Sequence, residues 1–282
     1  MLDLDASRAP VVPRPAATVV LVRDGLGGLE VFCVERSRRS TFLAGALVFP
    51  GGAVDPIDRT WAARAPRLEG RARGFDRPEV SAEAFAFAAL RETLEEAGIL
   101  LAIGDARAVD ARAVAAMRHA LLSGTSLPAL LDTTKLTPTI KNLVPLSRWI
   151  TPVAEKKRFD TAFFLAAAPP GQAGAHDDGE TVSSVWATPA ELLARWEAGI
   201  VSMVPPTHAT LEWLGSQDSV STALTAAERL SLSPICPELG VDGGSPALLL
   251  PGDPEHSLRE RERDHVHAPR YVLCGERFVP RR

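Results

Sequence analysis

The chain has 282 residues, enough to bury a sizeable core, and its 46% hydrophobic and 23% charged residues exclude a largely disordered protein. A formal net charge of −4 gives no general attraction to phosphate backbones, so nucleic acid is not an expected partner. The three cysteines, Cys33, Cys236 and Cys274, lie far apart with no paired spacing, which suits neither a disulfide framework nor a zinc site and indicates a reducing compartment.

The amino terminus carries acids and prolines where a secretory signal would carry a basic start and an apolar run. No apolar stretch approaches the roughly 20 residues that are needed to span a bilayer. We therefore expect a cytoplasmic protein with no membrane partner, preceded by a flexible leader over residues 1–14.

Two β-rich runs, 17–23 and 29–36, are separated by turn-forming residues and predict a β-hairpin. A third run, 46–49, ends at Pro50-Gly51-Gly52, where two glycines permit a sharp turn or the close approach of a ligand. Residues 56–80 are rich in Arg, Pro and Gly without a sustained period, which predicts a surface insertion.

A helix is predicted over 82–97, because Ser81 is a suitable N-cap and Gly98 a suitable left-handed C-cap. Helical and strand patterns alternate farther along the chain. The helical patterns cover 109–134 and 189–199, and the strand patterns cover 158–167 and 181–187. This alternation predicts a layered α/β fold.

The double proline at 205 and 206 marks a predicted boundary. We expect a main domain over 15–204, interrupted by the insertion at 56–80, and a carboxyl-terminal extension over 205–282. The extension begins helical and ends in short strands and loops. Its composition leaves open whether it covers a site, builds a homodimer or caps the sheet.

The predicted helix at 82–97 carries apolar residues on one face and Glu92, Glu95 and Glu96 on roughly the opposite face, pointing outward together. Like charges three and four residues apart cost an isolated helix about 0.2–0.5 kcal/mol per pair, and acids in the last turn oppose the helix dipole. Such a pattern indicates either a solvated helix face or a functional site. In the second case, a hard divalent cation would draw the carboxylates together.

The segment from Arg91 to Ile99, RETLEEAGI, preceded by Gly51-Gly52 and by Glu83, resembles the Nudix box, the signature of the Nudix hydrolase superfamily. The family pattern has a glycine, five residues, a glutamate and seven residues before its Arg-Glu-x-x-Glu-Glu-x-Gly run. Thr93 replaces the usual aliphatic residue, and 30 residues instead of five separate Gly52 from Glu83, so the match requires an insertion of 25 residues.

An interrupted box of this sort is similar to the branch that contains the peroxisomal coenzyme A diphosphatase. Further likenesses are the segments 42–52 (FLAGALVFPGG), 149–165 (WITPVAEKKRFDTAFFL) and 205–207 (PPT). The resemblance covers about residues 15–200. It implies an α/β/α sandwich with a mixed β-sheet, here with a helical insertion and a carboxyl-terminal extension.

The resemblance also implies that Glu92, Glu95 and Glu96 bind Mg²⁺ or Mn²⁺, with Glu95 completing the cluster or helping to deprotonate water. Arg91 would orient Glu92 through a charge-assisted hydrogen bond, and the alternative is an ordinary surface salt bridge. The division of labour among the three glutamates varies within the family and stays open.

Two further acids are candidates for the site. Glu83 suits the start of the helix, and Glu180 precedes a predicted strand but can equally belong to a solvated turn. The residues that are expected to contact substrate lie at the glycine turn or carry positive charge: Gly51, Gly52, Arg36, Lys157 and Arg158.

The implied reaction is the hydrolysis of a diphosphate linkage in a small nucleotide-like molecule, for which a metal ion neutralises charge and activates water. Coenzyme A or an acyl-coenzyme A would give 3′,5′-ADP and phosphopantetheine or its acyl derivative. NADH and ADP-ribose are alternative substrates. An alternative of another class is a non-catalytic module that senses a nucleotide metabolite, although such modules commonly lose the glutamates that this chain keeps.

Overall fold

The structure is a computed structural model that describes residues 4, 5, 7, 9–37, 43–104, 109–177, 181–261 and 265–282. The strands are β1 (Arg14–Gly25), β2 (Gly28–Arg36), β3 (Leu47–Val48), β4 (Gly51–Ala53), β5 (Ala102–Ile103), β6 (Thr137–Pro138), β7 (Val144–Ile150), β8 (Phe159–Ala167), β9 (Thr181–Ala187), β10 (Glu238–Asp242), β11 (Ser245–Leu249), β12 (Arg270–Cys274) and β13 (Arg277–Arg281). The helices are α1 (Pro56–Ala62), α2 (Ala82–Ala97), α3 (Ala111–Leu122), α4 (Leu127–Thr134), α5 (Pro189–Glu197), α6 (Pro205–Leu214) and α7 (Val220–Ala227). Short 3₁₀ turns cover Gly70–Phe75 and Ile140–Asn142. Within these ranges, none of the helices combines the length and the apolar character that crossing a bilayer requires.

A mixed β-sheet forms the centre of the molecule, in the order β3-β2-β1-β8-β7, with β4 on β1 and β9 on β2. β1 runs parallel to β8, whereas its hairpin with β2 is antiparallel and is registered over 22–25 of β1. Beyond that hairpin the edge of β1 pairs instead with β4, with Thr18 opposite Gly51 and Ala17 opposite Gly52. The glycine pair therefore lies inside the sheet, beside the strand that runs through its middle.

The two faces of the sheet are covered by different parts of the chain. Val19 and Leu21 of β1 belong to a core cluster with α2, whereas Val20 and Val22 belong to a second cluster with α5, α6 and the carboxyl-terminal strands. Successive strand residues point to opposite faces, so β1 contributes to both clusters. Helices on both faces of a mixed sheet form the α/β/α sandwich that the resemblance implies, and the predicted fold class is confirmed.

The carboxyl-terminal extension caps the sheet. Its strands form a separate antiparallel sheet in the order β10-β11-β12-β13. Leu211 of α6, Leu248 of β11 and the fully buried Tyr271 of β12 all belong to the second core cluster. One core is therefore shared across Pro205-Pro206, so the extension packs on the sheet as part of the same core.

The insertion at 56–80 contains α1 and a 3₁₀ turn, and although many of its residues are exposed as expected of a surface insertion, several of its apolar residues are buried. Phe75 is fully buried, and Leu68, Ala72 and Val80 join the core cluster around α2. Trp61 packs edge-on against Phe87 of α2, with ring centroids 4.0 Å apart. Composition missed this because the apolar residues are few and irregularly spaced, and each fills a separate gap against the helix.

Described residues of the predicted leader contact the rest of the protein. Leu4 forms a β-bridge with Glu155 and packs against the second core cluster. The Asp5 N–H donates to the Ala154 carbonyl at 2.9 Å, so the leader lies against the loop before β8.

Candidate active site

Helix α2 has the ends that its sequence predicts. The Ser81 hydroxyl accepts a hydrogen bond from the Ala84 N–H at 3.3 Å, and Gly98 adopts a left-handed conformation at φ 60° that closes the last turn. Every residue of α2 is buried except Glu92 and Glu95, which are partly buried. The prediction that the glutamates point outward is wrong, because the insertion and the glycine turn pack over the face that would otherwise be solvated.

Arg91 is only 7% exposed, and each of the five N–H donors of its guanidinium has an acceptor. On one edge, Nε and Nη2 donate to the two carboxylate oxygens of Asp58 at 3.1 and 2.9 Å. Nη2 also donates to the Ala53 carbonyl at 2.9 Å. On the other side, Nη1 donates to Glu92 Oε1 at 2.8 Å and to Glu95 Oε2 at 3.1 Å. Arg91 is therefore a buried organiser of two glutamates, not an ordinary surface ion pair.

Glu96 and Glu92 approach the glycine pair from the helix side. The Gly51 N–H donates to Glu96 Oε2 at 2.9 Å, and Arg36 Nη1 lies 3.7 Å from Glu96 Oε1. A Cβ atom at Gly52 would overlap the carboxylate of Glu92. A glycine at 52 is therefore required for the close approach of a carboxylate of the protein itself.

Arg118 of α3 offsets the unfavourable position of these acids at the carboxyl-terminal end of α2. Its Nε and Nη2 donate to the Glu95 carbonyl at 2.9 and 2.8 Å, and Nη2 also reaches the Glu96 carbonyl at 3.2 Å. A cation that binds the last carbonyls of a helix counters its dipole. The helix can therefore end in two acids without losing its last turn.

The glutamate cluster is short of positive charge. Burial raises the pKa of Glu92 to about 8, since the charge of Arg91 only partly offsets burial and the charges of Glu96 and Glu95 raise it further. Burial also raises the pKa of Glu95, and Arg91 opposes that shift. Carboxylate oxygens are the ligands that Mg²⁺ and Mn²⁺ prefer, so the donor set fits a divalent cation in its chemistry and in its unbalanced charge.

The side chains are not gathered around a single point. In the described ranges, no three acidic, histidine or cysteine side chains converge closely enough to hold a metal ion as they stand. Glu92 and Glu95 are turned to Arg91, and Glu96 is turned to the Gly51 N–H.

A cavity of about 320 Å³ reaches the glycine pair from the other face of the sheet. Its lining is mainly apolar, with the charged side chains of Arg14 and Arg36 among the lining residues. Its walls come from the segments 43–53, 149–163 and 204–207, together with Pro237, Leu248 and residues of β1. The three segments that strengthened the family resemblance thus meet at one cavity, and Arg36 belongs both to its wall and to the glutamate cluster.

Comparison with known proteins identifies the family to which the chain belongs. Residues 61–214, more than half of the chain, match the family model described as the NUDT19 Nudix domain. The chain belongs to the Nudix hydrolase family. A crystal structure of a Nudix hydrolase from Alicyclobacillus acidocaldarius shares 31% identity and a TM-score of 0.65 with it, over 80% of this chain and 100% of that one. The recognition of the Nudix box, including its interrupted form, is confirmed.

Curated relatives carry the same name as the family model. The acyl-coenzyme A diphosphatase NUDT19 of Gallus gallus is 29% identical, over 68% of this chain and 65% of that protein. The protein of that name from Xenopus laevis is 28% identical, over 63% of this chain and 57% of that protein. The chain therefore spans less than two thirds of the length of these relatives.

Glu83, at the start of α2, lies outside the glutamate cluster. It is nine residues before Glu92, which corresponds to roughly 13 Å along a helix. Its Oε1 accepts hydrogen bonds from the Leu68 N–H at 2.8 Å and from Arg73 Nη1 at 3.1 Å. Glu83 therefore supports the insertion, as its position at the helix start suggested, while Glu180 lies outside the described residues.

The basic residues predicted to bind substrate divide into two groups. Arg36 lines the cavity, but Arg158 is 8% exposed and donates to the carbonyls of Thr151, Pro152 and Val11 at 3.0, 3.1 and 2.6 Å. Lys157 is exposed and is not part of the cavity wall. In the structure the donors of Arg158 are therefore used by carbonyls of the loop before β8 and of the leader, and its contact with substrate stays a prediction.

Sequence reasoning missed Asp58, a residue that is 4% exposed and whose carboxylate binds the arginine of the Nudix box. A signal was present in Asp55-Pro56-Ile57-Asp58. An aspartate, a proline and then an acid two residues later are typical of a helix start, with an N-cap, a proline at the first position and an acid at the third. Reading that start would have predicted α1, although not its partner.

Proposed function

We propose that this Nudix protein hydrolyses the diphosphate linkage of coenzyme A or an acyl-coenzyme A, with a divalent cation, to 3′,5′-ADP and phosphopantetheine or its acyl derivative. The observation that carries the proposal is the buried glutamate cluster beside Gly51 and Gly52, at the point where a largely apolar cavity reaches the same glycines. The names of the curated relatives support the substrate class.

Glu92, Glu95 and Glu96 would hold Mg²⁺ or Mn²⁺, which when bound neutralises the diphosphate and lowers the pKa of a bound water. Arg91 fixes the direction of Glu92 and Glu95, and the Gly51 N–H fixes Glu96. Glu95 is the most accessible of the three, with 25% of its side chain exposed, and is the one best placed to take the proton of the attacking water.

In the reaction, the oxygen of water bonds to one phosphorus, and the bond from that phosphorus to the bridging oxygen breaks. The second phosphate leaves with the bridging oxygen. Arg36 stands between the cavity and Glu96, where its charge can meet a phosphate oxygen of the substrate. Acidic side chains without such positive charge would repel a diphosphate.

The cavity suits the pantetheine arm better than a nucleotide base. Pantetheine carries a gem-dimethyl group and methylenes between its amides, and an acyl group extends this apolar character. The walls include Phe49, Trp149, Phe163, Pro205 and Leu248, all of which are buried apolar residues. Burial of apolar surface contributes roughly 25 cal/mol per Å², so such walls favour an apolar arm.

The experiment is a substrate panel for the purified chain with Mg²⁺ or Mn²⁺, and with EDTA as the metal-free control. We expect 3′,5′-ADP from coenzyme A and acyl-coenzyme A at a kcat/KM above that for AMP release from NADH or ADP-ribose. Faster cleavage of NADH or ADP-ribose would show that coenzyme A is not the preferred substrate and would assign the faster-cleaved molecule instead. Tight nucleotide binding without turnover of any member of the panel would overturn the catalytic proposal and support a metabolite-sensing module.

A further inference from the structure

The insertion that interrupts the Nudix box contains Asp58, whose carboxylate binds Arg91 of the box. We propose that Asp58 is a positioning residue, which fixes the guanidinium of Arg91 so that only Nη1 reaches Glu92 and Glu95. The inference rests on the proposed function, because it assigns Asp58 to the same reaction.

Both carboxylate oxygens of Asp58 accept hydrogen bonds. Oδ1 accepts from Arg91 Nε, and Oδ2 accepts from both Arg91 Nη2 and the Asp55 N–H at 2.9 Å. The parallel pair of bonds to one edge of a guanidinium sets its plane as well as its distance. Asp58 is 4% exposed and Arg91 7%, so water does not compete for these bonds.

The charges explain why it matters that Asp58 binds the Nε and Nη2 edge of Arg91. Arg91 forms ion pairs with both Glu92 and Glu95, and the same glutamates are the proposed cation ligands. A guanidinium that was free to turn both edges toward them would bind them bidentately and would compete with the metal. Asp58 occupies the Nε and Nη2 edge, which leaves each glutamate a single bond to Nη1 and an oxygen that does not bind Arg91.

The position of α1 shows how the interruption is tolerated. In the uninterrupted pattern, five residues join the glycine to the glutamate, which leaves no room for a helix there. Here α1 follows directly after β4 and packs on α2, and its third residue is Asp58. The insertion is therefore part of the arrangement around Arg91.

The main test compares Asp58→Asn with Asp55→Asn, which removes the same charge from the same helix start. Asp55 is the matched control, because its carboxylate is 52% exposed and lies 3.8 Å from Arg91. For Asp58→Asn we expect kcat to fall about 10- to 100-fold, with little change in KM and a higher Mg²⁺ concentration for half-maximal activity. For Asp55→Asn we expect values within about twofold of the wild type, since an exposed pair contributes little.

A double-mutant cycle separates positioning from a structural role. If Asp58 acts through Arg91, then Asp58→Asn lowers kcat in the wild type but not further in an Arg91→Gln background. An equal loss in both backgrounds would show that Asp58 acts by another route, such as the start of α1, and would overturn the inference. So would a wild-type kcat in folded Asp58→Asn.

A spectroscopic readout keeps the inference testable apart from activity. The ¹⁵N-labelled wild type should show an Arg91 Nε–H signal that exchanges slowly with water, assigned by its loss in Arg91→Gln, and this signal should exchange faster in Asp58→Asn. If the wild type cleaves no diphosphate, the proposed function fails while this signal still tests the geometry. If Asp58→Asn does not fold, Asp58→Glu and the wild-type signal take its place, and a rapidly exchanging Arg91 Nε–H would overturn the inference.

Discussion

The two ends of helix α2 carry glutamates whose pKa values are shifted in opposite directions. At the first turn, burial raises the pKa of Glu83, but hydrogen bonds from the Leu68 N–H and Ser81 and the charge of Arg73 outweigh it, and the net shift is downward. At the last two turns, burial raises the pKa of Glu92 to about 8, because the charge of Arg91 is opposed by neighbouring acids.

The contrast separates an acid with a structural role from the acids proposed to act in the site, within a single helix. Glu83 has donors enough to remain ionised at little cost, and it ties the insertion to the helix. The carboxylates of the cluster at the other end have raised pKa values, which is typical of functional sites. All of these residues are glutamates of the same helix, so the difference between them comes from the groups that the rest of the chain brings next to each carboxylate.

The largest expected effect is that of Glu96→Gln. The amide can still accept the Gly51 N–H, but one charge of the proposed metal site is lost. We expect activity to fall about 100-fold or more, because a bound cation contributes several kcal/mol to the transition state. The thermal midpoint should stay near that of the wild type. Steady-state kinetics and calorimetry check both expectations, and full activity would remove the role proposed for Glu96.

Gly52→Ala and its neighbour Gly51→Ala should separate activity from stability. A Cβ atom at position 52 would meet the Glu92 carboxylate, the far end of a side chain that can move. We expect a loss of activity of about tenfold or more with a nearly unchanged thermal midpoint. A Cβ atom at position 51 would instead meet the Ala17 carbonyl oxygen of β1. That variant should lose about 1–3 kcal/mol of stability. Kinetics and thermal unfolding of both variants measure the two effects, and equal loss of stability in both would contradict the contrast.

Glu83→Gln should show the reverse of the cluster variants. It keeps an acceptor for the Leu68 N–H but removes the charge that faces Arg73. We expect the free energy of unfolding to fall by about 1–3 kcal/mol, with kcat largely retained. Urea unfolding followed by circular dichroism, beside the substrate assay, measures the two quantities. A variant that is stable but inactive would place Glu83 in the site after all.

The pH dependence of the same pair of proteins gives the smallest expected effect. The pKa of Glu83 is lower in the folded protein than its ordinary value of 4.5, so its stabilising contribution is present above that value and is lost as the pH falls through the folded pKa. The difference in unfolding free energy between the wild type and Glu83→Gln should therefore be largest at neutral pH and shrink in acid. A difference that grew in acid would show that folding raises the pKa of Glu83 instead of lowering it.

The sequence predicted those features whose causes are local. Ser81 and Gly98 bound α2 as expected, and the spacing of the Nudix box identified the glutamates that share one end of the helix. The hairpin of β1 and β2 and the strands β8 and β9 were also predicted, with ends within three residues. Caps, turns and periodicity act over a few residues, so one stretch of sequence contains the information.

Which partner each charge finds could be learned only from the folded chain. Arg91 and Arg158 have the same side chain, but in the folded protein Arg91 binds carboxylates and Arg158 binds backbone carbonyls. Asp58 meets Arg91 from 33 residues away, because α1 folds back onto α2. Burial and ion pairing depend on every element that surrounds a side chain, and no local pattern records those neighbours.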